Sequence, residues 1–163
     1  GLVLAGTILG EAAAIFDGKE ASCSQSYGVA SRGGFSRSEV VISSGEIAYP
    51  MAEDPDLVVA LTEGALRRYL GTLKPGAVLV YDEGEVVPPP ERLPGLRALP
   101  LTRAAEAAGG RANVNMVALG VAAALTGAVS LESVVEAVRA RFGPAAGPKA
   151  EAVRAGHRLA RGG

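Results

Sequence analysis

Asp54-Pro55-Asp56-Leu57-Val58-Val59-Ala60-Leu61-Thr62 is the stretch on which the fold turns. A short, continuous apolar run introduced by a proline turn reads as a strand buried on both faces. Thr62 is placed to N-cap a helix whose Ala65, Leu66, Tyr69 and Leu70 fall on one side. Lys74-Pro75-Gly76 then turns the chain, and Ala77 to Tyr81 repeats the strand signal. Buried strands alternating with helices predict a three-layer α/β/α domain.

The flanking segments fit that frame. Upstream, Leu2, Ala5, Leu9, Ala12, Ala13 and Phe16 recur at helical spacing until Asp17-Gly18, which predicts a first helix with one buried face. Glu20 to Ser26 and Phe35 to Ser43 read as extended. Downstream, Glu83 to Pro94 is a proline-rich irregular excursion. Leu96 to Leu101 reads as a further strand, and Arg103 to Ala108 as a short helix closed by Gly109-Gly110. The last third is helical. Asn115 to Leu125 is apolar all round and belongs inside a domain or an assembly. Ser130 caps a helix with Leu131, Val134, Val135, Val138 and Phe142 as its inner stripe, Gly143 to Pro148 breaks the chain, and Ala150 to Ala160 is a final helix.

Composition removes several classes of function. The 163 residues suit a single domain, 1–163, with 48% apolar residues to fill a core. Sixteen basic residues against seventeen acidic ones leave a net charge of −1, with no surplus to grip a nucleic-acid backbone. One cysteine, Cys23, excludes an internal disulfide and any iron–sulfur or zinc site built from this chain's own thiolates. One histidine, His157, excludes a multi-histidine metal site and reads as a solvated residue on the last helix. Leu2 to Phe16 lacks a basic leader and a cleavage site, so it is not read as a secretory signal. Val114 to Leu125 is far short of the ~20 apolar residues that span a bilayer. The expectation is a cytoplasmic protein with neither nucleic acid nor membrane as partner.

The chain is poor in catalytic motifs. It has no G-x-G-x-x-G after a strand, no G-x-x-x-x-G-K-[ST] and no G-x-S-x-G. Cys23 reads as a small buried thiol, since no cation lies near it in sequence. Asp54 and Asp56 read as caps rather than metal ligands, and Asp82, Glu83 and Glu85 as a solvated acidic loop. The connection from Gln25 to Ser36 differs in kind, combining Ser26, Tyr27, Gly28, Arg32, Gly33 and Gly34. Adjacent glycines let a backbone approach a ligand, and an arginine fork suits phosphate or carboxylate. The same residues equally describe a long hairpin with a flexible tip. Asn115, polar at the head of an apolar helix, is either an N-cap or a wall residue of a site.

These segments carry a family likeness. Gln25-Ser26-Tyr27-Gly28 followed by Ser31-Arg32-Gly33-Gly34-Phe35-Ser36-Arg37-Ser38-Glu39-Val40 resembles a signature of the gamma subunit of 2-oxoacid:ferredoxin oxidoreductases. Tyr49-Pro50, Pro55 to Leu61, Leu73-Lys74-Pro75-Gly76 and Asn115-Met116-Val117-Ala118-Leu119-Gly120 continue the likeness, which is greatest to the 2-oxoglutarate branch. The resemblance implies a Rossmann-like fold like domain III of pyruvate:ferredoxin oxidoreductase. In that fold a first strand and glycine-rich loop precede the residue corresponding to Gly1, and the sequence given does not include that strand. It further implies oxidative decarboxylation of a 2-oxoacid with transfer of the acyl group to coenzyme A. Thiamine diphosphate, magnesium and iron–sulfur clusters then belong to alpha, beta and ferredoxin-like partner subunits, and ferredoxin is the electron acceptor. On this resemblance the chain is expected to bind no redox cofactor alone and to supply no catalytic residue. On the same resemblance Gln25, Ser26, Tyr27, Gly28, Arg32, Gly33, Gly34, Ser36 and Asn115 are expected to face the shared substrate and coenzyme A cleft, with Arg32 as the anion contact. The competing expectations are a free-standing Rossmann-like nucleotide-binding enzyme and a pure interaction scaffold.

Overall fold

The fold is seen in a computed structural model, which describes residues 2–27, 36–48, 52–89 and 92–162, with the backbone alone at positions 26, 27 and 36. Helix α1 (Leu2–Glu11) runs into a π-helical turn (Ala12–Phe16) and then into an antiparallel hairpin of β1 (Glu20–Tyr27) and β2 (Ser36–Ser43). Next come β3 (Leu57–Ala60), α2 (Glu63–Tyr69), β4 (Val78–Asp82), β5 (Leu96–Leu99) and α3 (Leu101–Ala107). The chain ends in α4 (Val114–Thr126), α5 (Leu131–Phe142) and α6 (Ala146–Ala160).

Strands β3, β4 and β5 form a parallel sheet in that order, Leu57 opposite Val78 and Leu79 opposite Leu96. The two faces of β4 explain the layering, because alternate residues of a strand point to opposite sides. Leu79 and Tyr81 join Ala60 and Leu66 in a small core beneath α2, whereas Val80 joins the large core built with α1, α3, α4, α5 and α6. Helices therefore cover both faces of the parallel sheet, as the alternation of strands and helices predicts. Burying Leu66, only 1% exposed, stabilises the fold by ~1.5–3 kcal/mol.

The caps follow the local chemistry. Thr62 Oγ1 accepts from the Ala65 amide at 3.2 Å, and Ser130 Oγ accepts from the Ser133 amide at the same distance. Gly76 takes φ +86° in the turn that ends the α2 crossover.

Four expectations need correction. Strand β3 is not buried on both faces: Leu57, Val58 and Val59 are half-buried, because β3 lies at the edge of the described parallel sheet. The break before the last helix is only Gly143–Ala145. Helix α6 begins at Ala146 and takes Pro148 into its first turn, where no intrahelical N–H bond is lost. Phe16 is not on the buried stripe of the first helix but 41% exposed, since the π-turn inserts one residue into the last winding. His157 is half-buried rather than solvated, because α6 packs tightly on α4.

Candidate functional site

The hairpin that carries the glycine-rich connection is seated on α1 by two small residues. A Cβ on Gly6 would stand 1.8 Å from Ser38 Oγ, and one on Gly10 would stand 2.4 Å from Cys23 Sγ. With glycine at both places, the Ser38 and Cys23 side chains occupy the space that a Cβ on the helix would need, and a larger residue would make them shift. The Cys23 thiol donates to the Gly6 carbonyl at 3.4 Å and completes the seam.

The register fixes where the connection begins and ends. Gln25 pairs with Ser38, Ser26 with Arg37, and Tyr27 with Ser36 on the last rung. Gln25, Ser26, Tyr27 and Ser36 are thus brought together at the end of one ladder, with Gln25 exposed. Gly28, Arg32, Gly33 and Gly34 lie outside the described residues, as do Tyr49 and Pro50.

A polar network braces the ladder just below that end. Ser24 Oγ donates to Glu39 Oε2 at 3.4 Å, and Arg37 Nε makes an ion pair with Glu39 Oε1 at 3.1 Å. Arg37 Nη1 donates to the Tyr69 hydroxyl on α2 at 3.3 Å. The hydrogen bond to Tyr69, assisted by the charge of Glu39, outweighs partial burial and pushes the guanidinium above its ordinary range. Arg37 stays a fixed cation linking the hairpin to α2. Sequence reasoning did not single out this link, because Arg37 and Tyr69 are 32 residues apart.

Asn115 stands elsewhere. It is the second residue of α4, half-buried, and makes no side-chain hydrogen bond among the described residues. It is not the N-cap: that position belongs to Asn113, whose buried amide oxygen accepts from Lys149 Nζ at 3.3 Å.

Two further readings are overturned. Asp82 is not part of a solvated acidic loop but 1% exposed. It accepts from the amides of Leu101 and Thr102, each at 3.1 Å, and from the Thr102 hydroxyl. It sits at the carboxyl end of β4 and holds the start of α3, so its role there is structural. Glu85, by contrast, pairs with Arg111 on the surface, and Asp56 pairs with Lys74 at 2.8 Å. Cys23 is more than a third exposed, not a buried thiol. The flank that meets α1 is desolvated, and this, with the nearby Glu11 carboxylate, pushes the thiol above its ordinary range despite the Gly10 amide. Among the described residues no group of three or more His, Cys, Asp and Glu side chains could hold a metal.

Comparison with known proteins agrees in every direction. The family described as pyruvate ferredoxin/flavodoxin oxidoreductase matches residues 1–161. The 2-oxoglutarate synthase subunit KorC of Methanothermobacter marburgensis is 42% identical over 146 residues, which is 85% of this chain and 78% of that protein. The keto/oxoacid ferredoxin oxidoreductase gamma subunit of Geobacter sulfurreducens superposes with a TM-score of 0.82 at 38% identity, over 100% of this chain and 93% of that one. The 2-oxoglutarate:ferredoxin oxidoreductase of Magnetococcus marinus, solved with 2-oxoglutarate, coenzyme A and succinyl-CoA, superposes with a TM-score of 0.85 at 25% identity. That match spans 99% of this chain but 29% of the other.

Proposed function

The chain belongs to the pyruvate ferredoxin/flavodoxin oxidoreductase family, and from that premise we propose that it is the gamma subunit of a multisubunit, coenzyme A-dependent 2-oxoglutarate:ferredoxin oxidoreductase. The observation that carries the reading is end-to-end likeness to a free-standing gamma subunit, combined with 42% identity to a 2-oxoglutarate synthase subunit. The reaction converts 2-oxoglutarate and coenzyme A to succinyl-CoA and carbon dioxide, with two electrons passing to ferredoxin.

Alpha and beta subunits hold the thiamine diphosphate and magnesium, and the iron–sulfur clusters lie in beta and ferredoxin-like subunits. When bound there, the thiamine cofactor supplies the carbanion chemistry of decarboxylation. This chain's part is to bind and orient. The hairpin end at Gln25, Ser26, Tyr27 and Ser36 presents the connection from Gly28 to Gly34 to the cleft. Arg32 meets an anionic group of coenzyme A or the oxoacid, Gly33 and Gly34 admit it to the backbone, and Asn115 completes the wall. The braced Arg37 keeps the ladder end in register while ligand is held.

Native purification from the source cells tests the assignment. The chain is expected to travel with larger subunits carrying thiamine diphosphate and iron, in fractions that reduce ferredoxin only when 2-oxoglutarate and coenzyme A are both present. Recovery of the chain by itself, or with activity toward pyruvate alone, would overturn it.

A further inference from the structure

The end of α1 turns two large apolar residues into solvent. The Asp17 amide reaches back to the Ala12 carbonyl at 3.1 Å, the long-span bond of a π-turn. The extra residue in that turn leaves Ala12 and Ala13 in the core but carries Ile15 to 69% exposure and Phe16 to 41%. A straight α-helix would place Phe16 on the face of Ala12 and Ala13, so the uncommon geometry is what exposes it. Burying one such side chain would stabilise a fold by ~1.5–3 kcal/mol, which this turn forgoes.

Ile15 stands on the lip of an open cleft of about 260 Å³ between α1 and β1, floored by Gly10, Ala14, Ala21 and Cys23. Its exposed surface is mostly apolar, with Thr7 and Glu11 as the polar members of the lining. One carboxylate stands in its wall: Glu11, paired with Arg141 at 2.6 Å. The other exposed large apolar residues among those described, Val87 and Leu93, lie apart on the proline-rich excursion. A contiguous apolar patch with a charged rim is the signature of a protein interface.

The relatives supply the candidate occupant. In the Magnetococcus marinus chain this domain is 29% of one long polypeptide, so there it folds beside the rest of an oxidoreductase to which it is covalently joined. For a chain matched over nearly its whole length by a separate gamma subunit, that remainder arrives as another polypeptide. We propose that the α1–β1 cleft, with Ile15 on its lip and the exposed Phe16 next to it in sequence, is the docking site for the partner subunit of the oxidoreductase. The partner inserts an apolar side chain over Gly10 and Ala14, flanked by a Lys or Arg facing Glu11. This rests on the gamma-subunit reading.

Cys23, the chain's one cysteine, is a native reporter on the cleft floor. Its maleimide labelling, read by mass on this chain at one alkaline pH, is expected to slow roughly tenfold or more on going from the isolated full chain to the complex. Substituting exposed anchors in co-expressed complex is the second measurement. Ile15→Glu is expected to keep the chain's own melting temperature while lowering its recovery with partner subunits roughly tenfold, the size of a central interface anchor. Should Ile15→Glu fail to fold, Phe16→Ser and the labelling of the unsubstituted complex decide. Equal Cys23 labelling in both states, or undiminished assembly of folded Ile15→Glu, overturns the docking site while leaving the subunit reading intact. An isolated chain that is a dimer dispersed by Ile15→Glu, with hetero-assembly unaffected, assigns the patch to a second copy and overturns it too. Failure of the unsubstituted chain to join any partner overturns both.

Discussion

Gly120 on α4 and Gly156 on α6 stand where each helix passes the backbone of the other. A Cβ on Gly120 would lie 1.9 Å from the Val153 carbonyl oxygen, and one on Gly156 would lie 2.0 Å from that of Val117. The obstacles are backbone atoms, which cannot rotate away as a side chain can. This crossing is the closest-knit contact of the large core, and it places α4, with Asn115 near its head, against the final helix.

Gly120→Ala and Gly156→Ala are therefore expected to destabilise the chain by about 3 kcal/mol or more, the upper end of the cost of overpacking a core. The intrinsic helix preference of alanine, worth about 1 kcal/mol in the opposite direction, does not offset it. Urea midpoints at fixed pH measure the loss. A midpoint equal to that of the unsubstituted chain for either variant would show that α6 slides freely on α4.

Asp17 ties the end of the π-turn to the start of α5. Its carboxylate accepts from the Ser130 amide at 2.9 Å, from the Ser130 hydroxyl at 3.2 Å and from the Ser133 hydroxyl. Burial pushes its pKa up, but the Ser133 and Ser130 hydrogen bonds, with Lys19 nearby, more than offset this and leave it below the ordinary 3.8. A depressed carboxyl contributes stability that is present above the unfolded value and lost as pH falls through the folded one. Asp17→Asn is thus expected to cost about 1 kcal/mol at neutral pH, the size of a helix cap. Its penalty should fade as the pH is lowered below about 4, where the wild-type carboxyl also begins to protonate. Thermal melts at neutral and acid pH test this, and a penalty that persists unchanged in acid would refute the role of the charge.

Asp82 gathers three donors at the carboxyl end of β4. In Asp82→Ala the Leu101 and Thr102 amides and the Thr102 hydroxyl lose their acceptor in a buried setting. Each orphaned donor costs ~1–3 kcal/mol, so a loss of about 3 kcal/mol or more is expected. Hydrogen exchange should show the first turn of α3 opening early. Unaltered protection there would mean that water replaces the carboxylate at no cost.

Asp82 also shows where sequence reading reaches its limit. The caps at Thr62 and Ser130 are legible because donor and acceptor lie three residues apart. Asp82 finds its partners 19 and 20 residues downstream, and nothing local separates a buried cap from a solvated acidic loop. The π-turn is hidden for a related reason: Leu9, Ala12, Ala13 and Phe16 satisfy straight helical spacing, and only the bond from the Asp17 amide back to the Ala12 carbonyl, with Phe16 turned outward, reveals the extra residue. The hairpin was visible as two extended segments around a glycine-rich connection, yet its seat on Gly6 and Gly10 depends on a helix that sequence pattern cannot dock.

Arg32 is the residue on which the proposed ligand-facing role of the hairpin connection rests. Its guanidinium offers a planar fork of donors to an anion, and a hydrogen bond to a charged group is worth ~1.5–3 kcal/mol. In the assembled oxidoreductase, Arg32→Ala is expected to raise the KM for coenzyme A or for 2-oxoglutarate roughly 10- to 100-fold. On the proposed contact of Arg32 with ligand, the melting temperature of the chain and its recovery with partners should stay unchanged. Arg32→Lys should restore part of the loss, since charge returns without the fork. Assembly that fails with Arg32→Ala would instead place the connection against protein, and steady-state constants equal to wild type would remove Arg32 from the cleft.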